Sequence, residues 1–361
     1  MKKKILITSM GGYGSLSVVN NLSKQNRRNI EFFGTHNDPY LIQRAKKICK
    51  KIFLVPGVSN KKNYLKKNIS LIKNNKIDIV IPNSDREVFL FSKFRNKIKS
   101  KIFLPDHKDI EICQNKNKFL NFLKNYYLNY PYFINIKNKR DINSFLKNKN
   151  TKKFYIRITK ETSEGAYGAA VLENRKQLEL WLKIWKIFKN EKETSFTLSD
   201  FLPGKIFENL IIYKDGNLII SKVYQNLKYY LTSNAITGAG STPSTAESCG
   251  KNLSEIISSE TINIINMISK HNSTIPNGVY HSSVRYDYKN KPNVTEINIG
   301  RFPSTNGIFN LYGKYNIAEI YFKIILDKKI KLKNFIDNDF NKKILVTRSL
   351  DQNPYVFKKK I

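Results

Sequence analysis

Acidic residues are scarce in this chain. Of its 361 residues, 28 are Asp or Glu against 64 Lys or Arg, a formal net charge of +36. Cysteine is scarcer: Cys49, Cys113 and Cys249 are odd in number, far apart and without a CxxC pair. That excludes a disulfide framework and a cysteine zinc site, and it favours a reducing, cytoplasmic setting. Long apolar runs are absent too; none approaches the ~18 residues that a membrane helix needs. The N-terminus, Met1-Lys-Lys-Lys-Ile-Leu-Ile-Thr8, starts basic, but its apolar run is too short for a signal peptide. It reads as a first strand. The four histidines (His36, His107, His271, His281) form no spacing motif, and no Ser-His-Asp or Cys-His pairing is in view.

What is present is enough for packed cores: 40% hydrophobic and 12% aromatic residues over a length that suits two or three domains. The lysines are spread among Asn, Ile, Tyr and Phe along the whole chain, a bias that AT-rich codons produce. A nucleic-acid binder gathers its charge in a stripe, and no zinc finger, RNA-recognition signature or basic zipper occurs. Nucleic acid is therefore not an expected partner, although a polyanion-binding protein remains a rival reading that charge alone supports. The charge should raise affinity for anionic ligands such as nucleotides.

Residues 1–110 alternate strand and helix signals. Strands are expected at Ile5–Thr8, Glu31–Gly34, Lys51–Pro56, Ile77–Pro82 and Lys101–Pro105. Intervening helices imply a parallel, doubly wound sheet, with ligands outside the carboxyl ends of its strands. Asn83, Ser84, Asp85 and Glu87 fall there. The loop Gly11-Gly-Tyr-Gly14 has Ser17 where a third dinucleotide-site glycine would stand, and no acid ends the second strand. It reads as a tight strand-to-helix turn.

Pro131 connects to a second region. Phe154-Tyr-Ile-Arg157-Ile, a small-residue loop Thr162–Gly168 and Ala169-Ala-Val-Leu172 form a hairpin whose tip offers N–H groups to an anion. A helix (Lys176–Phe188) leads to Phe196–Gly204 and a hairpin of Phe207–Tyr213 with Asn217–Tyr224. Residues 231–250, rich in Thr, Ser and Gly, read as a loop. A helix at Ser254–His271 precedes Gly278–Asp287 and Val294–Arg301, two strands flanking a turn. Glu296 and Asn298 are two apart and leave one face of the second strand. A carboxylate beside an amide oxygen suits Mg²⁺, which takes one or two carboxylates plus substrate phosphates. Arg301 can meet an anion bidentately.

In this order the pieces resemble the ATP-grasp superfamily over nearly the whole chain, and within it ligases like the carbamoyl-phosphate synthase large subunit. The resemblance implies α/β and α+β architecture: a Rossmann-like domain (1–112), a lid subdomain (113–195) and a C-terminal subdomain (196–361) of the ATP-grasp fold. It implies ATP and Mg²⁺. Lys116 and Arg157 match phosphate-contacting residues, and Gly165, Ala166, Tyr167 and Gly168 the phosphate-covering loop. Asp200, Phe201 and Leu202 match the linker that meets the adenine. Glu296 and Asn298 match the metal-binding strand, and Asn298 and Arg301 the catalytic positions. The implied activity is an ATP-dependent ligase that activates a small carboxylate as an acyl phosphate for attack by an amine-type acceptor.

Three departures stand beside it. Ser283 occupies the place of a second metal ligand, with Asp287 at that strand's end the nearby carboxylate. Ile206 replaces an acid after Pro203-Gly204, with Glu208 two residues on as the expected substitute for nucleotide contact. Finally, Glu296-Ile-Asn-Ile-Gly-Arg301 is one residue longer than the commoner spacing. A catalytically degenerate ATP-binding protein is the alternative they support.

Overall fold

The structure, a computed structural model, describes residues 2–159, 167–230, 244–332, 335–338 and 341–348, and the backbone of 355–359. Five strands form the first sheet: β1 (Lys3–Ile7), β2 (Ile30–His36), β3 (Lys51–Leu54), β4 (Ile79–Ile81) and β5 (Lys101–Ile102). All pair in parallel, in the order β3-β2-β1-β4-β5. The apolar run of β1 is continuous because both faces are covered. Ile5 and Ile7 enter one core and Leu6 the other. The order reverses between β1 and β4, and a buried carboxylate ties the two strand ends there. Glu87 accepts hydrogen bonds from Thr8 Oγ1 (2.7 Å), Ser9 Oγ (2.8 Å) and Tyr64 OH (2.7 Å). The glycine loop is a tight turn as expected: Gly11 has φ +116°, and a Cβ there would meet the Leu41 carbonyl oxygen at 2.3 Å.

The second sheet holds β6 (Phe133–Asn135), β7 (Phe154–Ile158), β8 (Ala170–Leu172) and β9 (Phe196–Asp200), antiparallel in the order β6-β9-β7-β8. β9, which begins just past residue 195, pairs on both sides within this sheet. At the other limit, the helix Lys116–Asn125 packs Phe119, Phe122 and Leu123 into a core shared with the first sheet.

The third sheet is antiparallel: β10 (Ile206–Lys214), β11 (Asn217–Tyr229), β12 (Ser244–Ser248), β13 (Gly278–Tyr286), β14 (Pro292–Ile299), β15 (Lys343–Arg348) and β16 (Tyr355–Lys359). Its order is β14-β13-β10-β11-β12-β15-β16. The loop expected at 231–250 is corrected in part. Residues 231–243 lie outside the described residues, but 244–248 form a strand between β11 and β15. Ser244, Ala246 and Ser248 are its buried side, small residues that carry no apolar alternation in sequence. Among the described residues no helix is long and apolar enough to cross a membrane.

Candidate active site

The site lies on the face of the third sheet where β10, β13 and β14 run side by side. Ser283 on β13 is opposite Glu296 on β14 and Glu208 on β10, and His281 is opposite Asn298. Alternation then sends Glu208, His281, Ser283, Glu296 and Asn298 to one face. All five line a cavity of about 670 Å³ with Asp85, Lys116 and Arg301.

Gly300 sets the aim of Arg301. It takes φ +79°, and its N–H donates to the Val279 carbonyl at 2.7 Å, so the added residue turns the chain off the strand. The guanidinium reaches Asp85 bidentately: Nε to Oδ1 at 2.5 Å and Nη2 to Oδ2 at 2.8 Å. Nη2 also donates to Asn298 Oδ1 at 3.0 Å. Asp85 opens the helix Asp85–Lys93, which Ser84 caps just past β4. One ion pair therefore joins the carboxyl end of the parallel sheet to the end of β14.

Lys116 opens its own helix, capped by Asn115, and points at Glu296, Nζ to Oε2 3.9 Å. Arg157 and Tyr155 share the less buried face of β7. The Arg157 charge acts on both Lys116 and Glu296. For Glu296, burial works to raise the pKa, but Lys116, Arg157 and His281 outweigh it and hold the carboxyl below its ordinary 4.5. Burial and then Arg157 lower the Lys116 amine, against the opposing pull of Glu296 and Asp85.

Glu208 is a polar hub. Ser283 Oγ donates to its Oε2 at 2.8 Å and Asn226 Nδ2 to its Oε1 at 3.2 Å, while His281 Nε2 lies 3.0 Å from Oε2. Glu208, expected to serve the nucleotide from beside Ile206, lines the cavity with these contacts. Asp287 is no neighbour of Ser283 in function: its Oδ1 accepts from Lys289 N and Lys291 N, both 2.8 Å, and so ties the hairpin turn.

The remaining expected residues do not join this cluster. Asp200 accepts from the Asn150 backbone (3.0 Å) and Nδ2 (2.7 Å), and the Phe201 N–H donates to Thr151 Oγ1. With Leu202 they line a separate cavity of about 250 Å³. Tyr167 stacks edge-on against Trp185, and the Gly168 carbonyl accepts from Trp181 Nε1. Gly165 and Ala166 lie outside the described residues. Sequence reasoning placed Asp85 near ligand but missed its pairing with Arg301, 216 positions away. It also missed Asn226 and Tyr229, which line the cavity because β11 runs past Tyr224.

No family model matches the chain, and no curated protein matches it. Solved structures do. An L-amino acid ligase from Bacillus licheniformis superposes with TM-score 0.70 at 14% identity, over 96% of this chain and 79% of the other. The biotin carboxylase domain of the 2-oxoglutarate carboxylase of Hydrogenobacter thermophilus, solved with MgADP, ADP and bicarbonate, gives 0.71 at 13%, over 96% and 74%. The N5-carboxyaminoimidazole synthetase of Staphylococcus aureus with ADP gives 0.70 at 14%, over 97% and 83%. The fold is the ATP-grasp fold. The second sheet, which the sequence resemblance assigns to the lid, carries Arg157 on β7.

The group that this fold implies is ATP with Mg²⁺. One donor fits a hard cation as it stands: Glu296 is held ionised and lines open cavity, while the Asn298 amide beside it turns Nδ2 to Glu296 and Oδ1 to Arg301. A second cation finds less. Ser283 spends its hydroxyl on Glu208, and among the described residues no group of three His, Cys, Asp or Glu forms a metal cage.

Proposed function

We propose that the chain is an ATP-dependent ligase that activates a small carboxylate as an acyl phosphate and passes it to an amine-type acceptor. The observation that supports it best is the convergence of Lys116, Glu296, Asn298 and the Asp85–Arg301 pair on one cavity, with the Arg157 charge acting on Lys116 and Glu296. The ligases and the carboxylase with the same fold support the reaction class. When bound, Mg²⁺ would neutralise charge on the transferring phosphoryl group, and Glu296 and Asn298 would hold it. Lys116 in the cavity wall, and Arg157 whose charge reaches Glu296, supply fixed positive charge without reorganisation during reaction. Arg301 is prepositioned: Asp85 and Asn298 fix the guanidinium plane, so its contact with an anion costs little side-chain entropy. Glu208 and His281, with Oε2 and Nε2 3.0 Å apart, line the same cavity and would give polar contacts to the acceptor.

The second reading, ATP binding without turnover, draws on Ser283, whose hydroxyl faces Glu208 where a ligand for a second cation would stand. Calorimetric titration with ATP, with and without Mg²⁺, on wild type and Glu296→Ala separates the two. The ligase reading expects Mg²⁺-dependent binding that the substitution weakens about thirtyfold, near 2 kcal/mol for a charge-assisted contact. Equal affinity without Mg²⁺ favours the non-catalytic reading. No ATP binding removes both.

A further inference from the structure

Two helices of the first domain, Lys61–Asn74 and Asp85–Lys93, leave a groove of about 440 Å³ between them. Its floor is apolar, with Leu65 and Ile69 on one side and Phe89 and Phe94 on the other. Its rim is Lys61, Lys62, Lys66, Lys93 and Lys97, and no acidic residue lines it. All five lysines are exposed, and among the described residues none has a carboxylate within ion-pair distance. Elsewhere on the surface Lys3, Lys50, Lys101 and Lys153 each face one. Lys97 Nζ hangs over the Phe94 ring, 5.3 Å from its centroid, so charge and apolar floor are in contact.

The groove is continuous with the active-site cavity. Lys61, Phe89, Leu90 and Lys93 line both. Five unpaired like charges around an apolar strip repel one another, and an anion relieves that repulsion. The strip itself gains by burial under an apolar body. A purely ionic ligand would leave the floor wet, and a neutral one would leave the lysines uncompensated.

We propose that this groove binds an apolar arm ending in an anionic group, carried by the small-molecule acceptor whose reacting end lies at Glu296 and Arg301. The arm's role rests on the ligase reading; its binding does not. The test is calorimetric titration of the full chain with n-octyl phosphate below its micelle concentration, without ATP. Neutral n-octyl glucoside and inorganic phosphate are the controls, and Lys66→Glu/Lys97→Glu is the variant. Both substituted side chains are exposed and neither lines the active-site cavity. Wild type should bind octyl phosphate at least tenfold more tightly than either control, and the variant should lose at least tenfold at unchanged melting temperature and ATP affinity. Absence of binding to wild type, equal binding by the variant, or a control as tight as octyl phosphate would overturn the proposal. If octyl phosphate behaves as expected while ATP fails to bind, the groove stands and the ligase reading falls.

Discussion

Lys116 and Glu296 are charged groups that the cavity treats oppositely. Burial disfavours the charge on each, but Lys116 and Arg157 beside Glu296 hold its carboxyl below the ordinary value, whereas Lys116 has Arg157 against it. The consequence is a pH dependence that belongs to one atom. If Lys116 holds phosphate, ATP affinity is full while its ammonium is protonated and falls as pH rises through a pKa below the lysine value of 10.5. The guanidinium of Lys116→Arg stays charged across that range, so the alkaline loss should vanish. Affinity titrated upward from pH 7 in both proteins checks this. Matching alkaline limbs would mean that the ammonium does not meet phosphate.

At the scale of elements, the hairpin β13–β14 is clamped to the first domain by two glycines. Gly278 has φ +95°, and a Cβ there would lie 2.7 Å from Pro105 Cδ; at Gly300, with φ +79°, it would lie 2.7 Å from Val88 Cγ1. Gly278→Ala combines backbone strain with that overlap and should cost about 1–3 kcal/mol. Gly57→Ala meets only ordinary contacts at 3.6 Å and should stay within about 0.5 kcal/mol. Urea unfolding of the two variants decides it, and equal midpoints would dismiss the clamp. The same hairpin shows what was legible in sequence and why. Glu296 and Asn298 could be read because a period of two fixes their face, whatever the tertiary context. The five parallel strands could be read because covered faces demand continuous apolar runs such as Ile5-Leu6-Ile7. Strand β12 could not, since Ser244, Ala246 and Ser248 are held by their neighbours' pairing and not by their own hydrophobicity. The Asp85–Arg301 pair was likewise out of reach: each partner is locally ordinary, and only the packing of two sheets brings them together. The partner of the Asp200 carboxylate was out of reach as well, since Asn150 has no signal of its own.

Across the whole molecule, the three cores do not follow the three sheets. Two of them each mix the parallel sheet with the large antiparallel one: Ile79 and Leu210 share the first, Val80 and Tyr280 the second. The third is drawn wholly from residues 136–198, with Phe145, Phe154, Ile156, Leu178 and Leu198 fully buried in it. The lid therefore has its own apolar core, while the first and third sheets stabilise one another. Native-state hydrogen exchange should show two cooperative units, the lid opening at lower free energy than the rest. Ile156→Ala, a buried deletion worth about 2–5 kcal/mol, should speed exchange in β7 and β9 and leave β1 and β10 unchanged. Ile79→Ala should speed exchange in β1 and β10 together, because their side chains meet in one core. Uniform loss of protection in response to Ile156→Ala would show that the lid is not an independent unit. It would also remove the basis for a lid that closes over bound nucleotide without disturbing Glu296 and Arg301 beneath it.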